Sequence, residues 1–384
     1  MYKLYPVAIV AVVLVAQPAT AQLASPPVQA DGDLVGSPAT TYSVVKGDNL
    51  ASIARQNHIG LVELLAANPA VTSQTISLNE QLTIPHQHVL PAGDRSGILV
   101  NLAALRLYRF DGTGQVMTFP VSVGKEGWDT PTGTTTVIEK RKDPTWKIPA
   151  SIRAQDPSLP AEIPPGPKNP LGQYALTLNW PGYLIHGTNT PYSIGKPTSH
   201  GCMRLYPEDI ESLFGAVSVG DSVTVIDTPF TLGESQGNLY LEVTPTREQA
   251  KAIASFTPAP ALAPSDPVVQ ALLVKLNTLK SEGLQIDDQT VQAAMARHDG
   301  LPVIVAKGLP AGVLNAPQQA RAAQTSAVPA MAVARATPPA KPQLQAAPQT
   351  PSQAPQAKSW WDQTKDAAAN AMSNVSTWFN GAKS

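Results

Sequence analysis

The stretch HGTNTPYSIGKPTSHGCMR, residues 186–204, decides how the rest of the chain is read. It gathers His186, His200, Ser199 and the chain's only thiol, Cys202, with glycines at Gly187 and Gly201. A free cysteine ionises near pH ~8.5 and only the thiolate is nucleophilic, so a reactive cysteine needs a base or a positive environment. A histidine within hydrogen-bond reach supplies the base, and a third group orients its ring. His200 lies two residues before Cys202, which on an extended backbone puts both side chains on one face. The run Tyr183 to His186 reads as a strand, so His186 returns beside Cys202 if the intervening loop closes. Gly201 lets the backbone bend so that the amides of Gly201 and Cys202 face a developing oxyanion. A covalent acyl-transfer site fits this pattern. Two other readings stay open: a metal site made by His186, His200 and Cys202, and a small buried thiol beside core histidines. The first lacks a nearby carboxylate to orient its ligands; the second does not call for Gly, Ser and His around the sulfur.

Upstream, the chain alternates apolar and polar residues in ILVNLAALRLYRF, VMTFPVSVG and GTTTVIEKR, separated by Asp-Gly-Thr-Gly and Thr-Pro-Thr-Gly turns. That pattern predicts hairpins. Residues Ile148 to Pro170 are Pro-rich and read as a long loop or lid. Strands resume at Tyr174 to Leu178, a short helix is expected at Pro207 to Val217, and a closing strand at Ser222 to Ile226. Together these make a mostly-β domain over 95–228.

Nearer the N-terminus, TYSVVKGDNLASIARQNHIGLVELLAANPA reads as a strand, a Lys46-Gly47-Asp48 turn and two helices. Asp48 is the expected cap of the first helix, which carries Leu50, Ile53 and Ala54 at helical spacing. The second holds Leu61, Leu64 and Leu65 and stops at Asn68-Pro69. Leu82 to Pro85 adds a final strand, giving β-α-α-β. This segment, 41–85, resembles a LysM domain, a family that binds the N-acetylglucosamine backbone of peptidoglycan or chitin. The resemblance assigns the sugar to Gly47, Asp48, Asn49 and Leu50 on one loop and Asn68 and Pro69 on the other. Asn79-Glu80 stand where that family has a glycine before the last strand.

The remaining segments surround these two units. Lys3, the apolar run Val7 to Ala16 and Ala19-Thr20-Ala21 have the order of a secretory signal peptide over 1–21, with an uncleaved anchor as the alternative. Residues 22–40 read as a flexible linker. Residues 229–306 form a small α+β extension with a hairpin around SQGNLYLEV and helices near 268–279 and 288–295. Residues 307–358 are Ala-, Pro- and Gln-rich and expected to be disordered. In 359–384, Trp361, Ala368, Met372, Val375 and Phe379 share one helical stripe, which suits either a membrane or partner contact or a helix folding back on its own domain.

Composition agrees with ordered units joined by Pro-rich segments. The 384 residues include 38 prolines, and the charged fraction is 14% against a typical ~25%. Lys plus Arg number 27 and Asp plus Glu 28, so no basic footprint for nucleic acid exists. One cysteine excludes an intrachain disulfide and a Cys₄ zinc site. No GxxxxGK[ST] loop occurs, so no nucleotide cofactor is expected, nor any other cofactor.

Around Cys202 the sequence Ser199-His200-Gly201-Cys202-Met203-Arg204 resembles the signature of the L,D-transpeptidase (YkuD-type) family. Thr130-Pro131-Thr132-Gly133 and Asn169-Pro170-Leu171-Gly172 extend the match over roughly 95–228. IPASIRAQDPSLPAEIPPGPKNPLGQYALTL and the later NLYLEV are similar to its ErfK branch. The resemblance implies a periplasmic cysteine acyltransferase acting on tetrapeptide stems of peptidoglycan. Cys202 would be the nucleophile, His186 the base and the Gly187 carbonyl its orienting group. His200 and Ser199 would flank the thiol, and Arg204, Tyr174 and Gly201 would meet substrate. The acyl group would pass to a stem amine or, in the ErfK branch, to an outer-membrane lipoprotein lysine. Hydrolysis by an L,D-carboxypeptidase or amidase uses the same intermediate, and a non-catalytic peptidoglycan-binding scaffold is the remaining alternative.

Overall fold

Local capping builds the first module. The Asn49 side chain accepts from the Ser52 amide at 2.9 Å and the Ser52 hydroxyl accepts from the Asn49 amide at 3.0 Å, a reciprocal box that satisfies two otherwise orphaned donors. The cap of α1 (Leu50–Gln56) is therefore Asn49 rather than Asp48. The Asp48 carboxylate instead closes the preceding turn, accepting from the Tyr42 hydroxyl at 2.8 Å and the Val45 amide at 2.9 Å. After α1 comes α2 (Leu61–Ala66), and strands Thr40–Ser43 and Gln81–Ile84 pair antiparallel. Ile53, Ala54, Leu64 and Leu82 form the module's own core. Asn79 has φ 65°, a left-handed conformation that asparagine tolerates in place of glycine.

This computed structural model describes residues 27–309 and Leu314. The signal segment expected over 1–21, nearly all of the 307–358 stretch and the terminal helix expected over 359–384 lie outside the described residues. Among the described residues, no helix is long and apolar enough to cross a membrane.

The mostly-β domain is a nine-stranded sheet. Its order runs Val28–Gln29, Gln115–Pro120, Arg106–Asp111, Ser96–Asn101, Ser222–Ile226, Gly133–Lys142, Tyr174–Leu178, Leu184–His186 and Met203–Arg204. Neighbours are antiparallel except at Ser96–Asn101 with Ser222–Ile226 and at Leu184–His186 with Met203–Arg204, which are parallel. A parallel pair needs a crossover, and here the crossover is the 187–202 segment itself. One face is apolar: Leu176, Ile185, Met203, Ile210 and Leu213 are all fully buried there. The last two lie on the helix Pro207–Ala216.

The Pro-rich segment is more structured than a lid loop. It contains α3 (Ala150–Gln155) and a short antiparallel pair, Trp146–Lys147 with Glu162–Ile163. Buried Asn169 ties its base, donating to the Pro144 carbonyl at 2.7 Å and accepting from the Leu171 amide at 2.9 Å. The helix Pro207–Ala216, α4, follows.

Residues 27–40 also depart from the expected linker. Val28–Gln29 pair with Val116 and Gln115, and Leu34–Val35 pair with Val89 and His88, with both Leu34 and Val35 buried. Two-residue strands leave no periodicity to read, so composition alone mistook them for coil.

C-terminal to the sheet, Phe230–Ser235, Asn238–Val243 and Val303–Lys307 form a three-stranded antiparallel sheet. It is backed by α6 (Pro267–Ser281) and α7 (Asp288–Arg297) through Leu241, Leu272, Leu276 and Val291. After Asn238–Val243 comes α5 (Arg247–Ala254), which the sequence reading passed over although Thr246 and Gln249 form a capping box. Its Ala250 joins the core of the nine-stranded sheet, and Ile253 packs against both that core and the core of the β-α-α-β module.

Candidate active site

The register of the parallel pair sets the site's geometry. Ile185 pairs with Met203 and His186 with Arg204. Followed one residue back, the pairing sets Cys202 beside Leu184. Side chains alternate along a strand, so Cys202, Arg204 and His186 occupy one face and Met203 and Ile185 the other. Strands ~4.8 Å apart with a ~3.3 Å rise put the backbones of Cys202 and His186 about 8 Å apart, within joint side-chain reach. Cys202 is half-buried, and its thiol is directed at the Gly182 carbonyl at 3.7 Å.

His186 is buried, and its Nδ1 lies 2.6 Å from the Gly187 carbonyl oxygen. A carbonyl can only accept, so Nδ1 carries the proton and Nε2 is the basic nitrogen of the neutral ring. A Cβ on Gly187 would meet Ile210 at 3.0 Å, and one on Gly172 would meet the Gly187 backbone at 3.1 Å.

The turn before the sulfur is built by residues whose polar groups are consumed within it. The Ser199 hydroxyl, fully buried, donates to the Cys202 carbonyl at 2.5 Å and accepts from the Gly201 amide at 3.1 Å. Gly201 has φ 96°, and a Cβ there would lie 2.9 Å from the Tyr183 ring. Its carbonyl accepts from the Thr130 hydroxyl at 2.9 Å, which itself accepts from the Gly124 amide at 3.0 Å. The Gly201 amide is thus not available to an oxyanion as the sequence suggested. Of the two amides considered, that of Cys202 remains. His200 packs edge-on against Trp128, with ring centroids 4.8 Å apart.

Arg204 is half-buried beside the thiol. Burial pushes its guanidinium below the usual arginine range, while the neighbouring Cys202 pulls the other way. Its Nε is buried without a hydrogen-bond partner, and among the described residues no carboxylate pairs with it. A desolvated, unpaired guanidinium is suited to a bidentate carboxylate.

Tyr174 does not join this face. Its strand neighbour Ala175 pairs with His186, so Tyr174 points to the opposite side. There its hydroxyl donates to Glu211 on α4 at 2.9 Å and its ring packs on Phe214. The resemblance assigned Tyr174 to the substrate wall, whereas the strand register sets it on the face opposite His186. Conversely Trp128 and Thr130, on the loop after strand Val123–Gly124, and Tyr183, just before strand Leu184–His186, reach the turn and were not singled out as site residues. Burial, then the Cys202 and Asp129 charges, raise the Tyr183 hydroxyl.

In the LysM module, Gly47 and Asn49 are exposed, Asp48 is half-exposed and Pro69 is exposed. Leu50 lies in the module core. The Asn68 amide is spent on structure, donating to the Leu64 and Thr83 carbonyls and accepting from the Thr83 amide, each at 2.7 Å. Those two side chains hold loops rather than face solvent. Among the described residues, no three His, Cys, Asp or Glu side chains converge to hold a metal ion.

A family model of the L,D-transpeptidase catalytic domain (YkuD) matches residues 95–225, and a LysM domain model matches residues 42–85. The probable L,D-transpeptidase YcfS of Escherichia coli (strain K12) is 37% identical over 279 residues, covering 69% of this chain and 83% of the relative. The probable L,D-transpeptidase YbiS of the same strain is 39% identical over 233 residues, covering 58% and 76%. The probable L,D-transpeptidase ErfK/SrfK of Salmonella typhimurium (strain LT2) is 35% identical over 287 residues, covering 72% and 89%. With its thiol, its oriented imidazole and its LysM module in one chain, this protein belongs to the L,D-transpeptidase family and is a transferase.

Proposed function

We propose that Cys202 is acylated by a peptidoglycan tetrapeptide stem and passes the acyl group to an amine. His186 Nε2 takes the thiol proton as the sulfur attacks the carbonyl of the third, diamino-acid residue. A C–S bond forms, the C–N bond to the terminal D-alanine breaks, and the imidazolium returns its proton to the departing amine. The incoming amine then attacks the thioester, His186 takes its proton and returns it to the thiolate, and the enzyme is regenerated. One amide replaces another, so the exchange needs no nucleotide. Arg204 is the group that meets a stem carboxylate, and the Cys202 amide is the oxyanion donor.

The Gly47–Asn49 turn and Pro69 form the glycan-facing edge of the LysM module in this reading. The acceptor is a neighbouring stem's side-chain amine, giving a 3→3 cross-link, or a lysine of an outer-membrane lipoprotein. The sequence order of a signal peptide assigns the work to the periplasm.

What carries the proposal is the pairing of His186 with Arg204, which sets Cys202 and an Nδ1-protonated imidazole on one face. Intact-mass detection of a carbapenem adduct tests it: the wild type gains the adduct, Cys202→Ala does not, and both still sediment with sacculi. An adduct on the alanine variant overturns the assignment. Muropeptide analysis of treated sacculi then reads the acceptor as 3→3 dimers, trimmed tripeptides or lipoprotein-linked fragments.

A further inference from the structure

The LysM module is not a bead on a tether. The first two amides of its second helix α2, Leu61 and Val62, which in an isolated helix would lack partners, donate to the Ile194 and Gly195 carbonyls at 3.4 and 3.1 Å. Those carbonyls lie midway along the segment that joins His186 to Cys202. Here Gly60 and Gly195 meet backbone to backbone: a Cβ on Gly60 would lie 2.8 Å from the Gly195 Cα, and one on Gly195 only 2.2 Å from the Gly60 Cα.

The other side of the nucleophile is gripped as well. Arg55 on α1 makes a two-pronged contact with Glu208 at 2.8 and 2.7 Å, and the Tyr206 hydroxyl donates to the Ile59 carbonyl at 3.2 Å. Tyr206 and Glu208 follow directly on the strand Met203–Arg204. A third link closes the circuit inside the domain. The Ser122 hydroxyl donates to the Ser193 carbonyl at 2.5 Å, while the Ser122 backbone exchanges hydrogen bonds with Arg204 at 2.9 and 3.0 Å. The module's Val62 is buried in the catalytic core itself. Glu63 binds buried Arg106 of the catalytic sheet at 2.7 and 2.6 Å.

We propose that the LysM module is a positioning element of the catalytic centre, its Gly60–Val62 edge and Arg55 fixing the crossover 187–202 and the strand after it so that Cys202 stays within reach of His186. Gly60, Arg55 and Glu208 touch neither thiol nor imidazole and act through the crossover. The proposal rests on Cys202 being the nucleophile.

Gly60→Ala tests it with little other disturbance, because Gly60 has φ −82° and ψ 156°, a conformation any residue adopts. The added methyl meets the Gly195 backbone first and, more loosely, Pro120. The full chain is treated with a carbapenem, and intact mass gives both the acylation rate constant and the inhibitor's binding constant. The expected result is a fall of about tenfold in the acylation rate constant, since a displacement near 1 Å can cost up to ~10²-fold, with the binding constant and sacculus sedimentation unchanged. Arg55→Glu likewise slows acylation, and the double variant R55E/E208R recovers it, a rescue that general destabilisation would not give.

Wild-type acylation by folded Gly60→Ala and Arg55→Glu overturns the proposal, as does failure of R55E/E208R to recover. Absence of an adduct on the wild type would instead sink the nucleophile assignment on which it stands.

Discussion

Replacing Ser199 by alanine is the most direct probe of how the nucleophile is held. The hydroxyl of fully buried Ser199 makes two bonds within the turn, to the Cys202 carbonyl and from the Gly201 amide. A buried polar group left without a partner costs about 1–3 kcal/mol. The carbonyl keeps a second lone pair for a neighbour, so the two losses together predict about 2–4 kcal/mol. For an ordered unit of this size each kcal/mol moves the midpoint by ~2–4 °C, giving a Tm drop of about 4–16 °C. The kinetic consequence is separate. Without its clasp the turn relaxes and the sulfur drifts from the imidazole, so carbapenem acylation measured by intact mass is expected to slow about 10–100-fold. Thermal unfolding and the acylation time course are run on the same preparation. A variant with lowered Tm and undiminished acylation would show that the hydroxyl holds the fold and not the nucleophile. No change in either would refute the turn argument altogether.

Two further outcomes follow from the same geometry. Gly201→Ala forces a side chain into φ 96° and against the Tyr183 ring; at about 1–3 kcal/mol of strain, acylation should fall at least as far as in the serine variant, and unchanged acylation would mean the turn is softer than drawn. Glu242 is buried against the His88 ring nitrogen at 3.2 Å and accepts from the Val89 amide at 2.6 Å, and burial raises its carboxyl to about 8 from 4.5. Between those values the unfolded chain releases the proton that the folded one keeps, so this group's contribution declines as pH rises through the window. Burial lowers His88 well below its usual value, so that residue acts in the opposite sense, costing stability as pH falls below 6.5. On the alkaline side only Glu242 operates: denaturant midpoints of the wild type should decline from pH 6.5 to 8.5, and Glu242→Gln should flatten that decline. Parallel curves would contradict the assignment.

What the sequence disclosed, and what it hid, divides along range of interaction. The β-α-α-β module was legible because helical spacing and chain-stopping Asn68-Pro69 are written within a few residues. The cap was misplaced by one position because Asp48 and Asn49 are chemically alike. Only the partners Tyr42, Val45 and Ser52 tell them apart. The thiol and imidazole were visible because one crossover carries both. Trp128, Thr130 and Tyr183 were not, since they meet the turn through tertiary contacts from loops, which leave no local signature. Tyr174 is a different case: the resemblance put it at the substrate wall, and strand alternation puts it on the face opposite His186. The helix Arg247–Ala254 did carry a signal in Thr246 and Gln249, overlooked beside the stronger hairpin that precedes it.

The short strands at 28–35 bear on how this enzyme can be trimmed. Asp33 accepts from the Glu234 amide at 2.9 Å and from Arg95 at 2.7 Å, and Val89 and Asp33 crowd the Gly233 backbone so closely that no methyl would fit there. A fragment cut to the bounds of the matched catalytic segment would lose both ends of this lacing at once. It would leave Arg95 without Asp33, strip Glu63 from buried Arg106, and unpair Gln115 and Val116 from Gln29 and Val28. Excision along motif borders therefore opens a seam that the intact polypeptide keeps shut, and the cut belongs beyond residue 307, after the last strand of the small sheet.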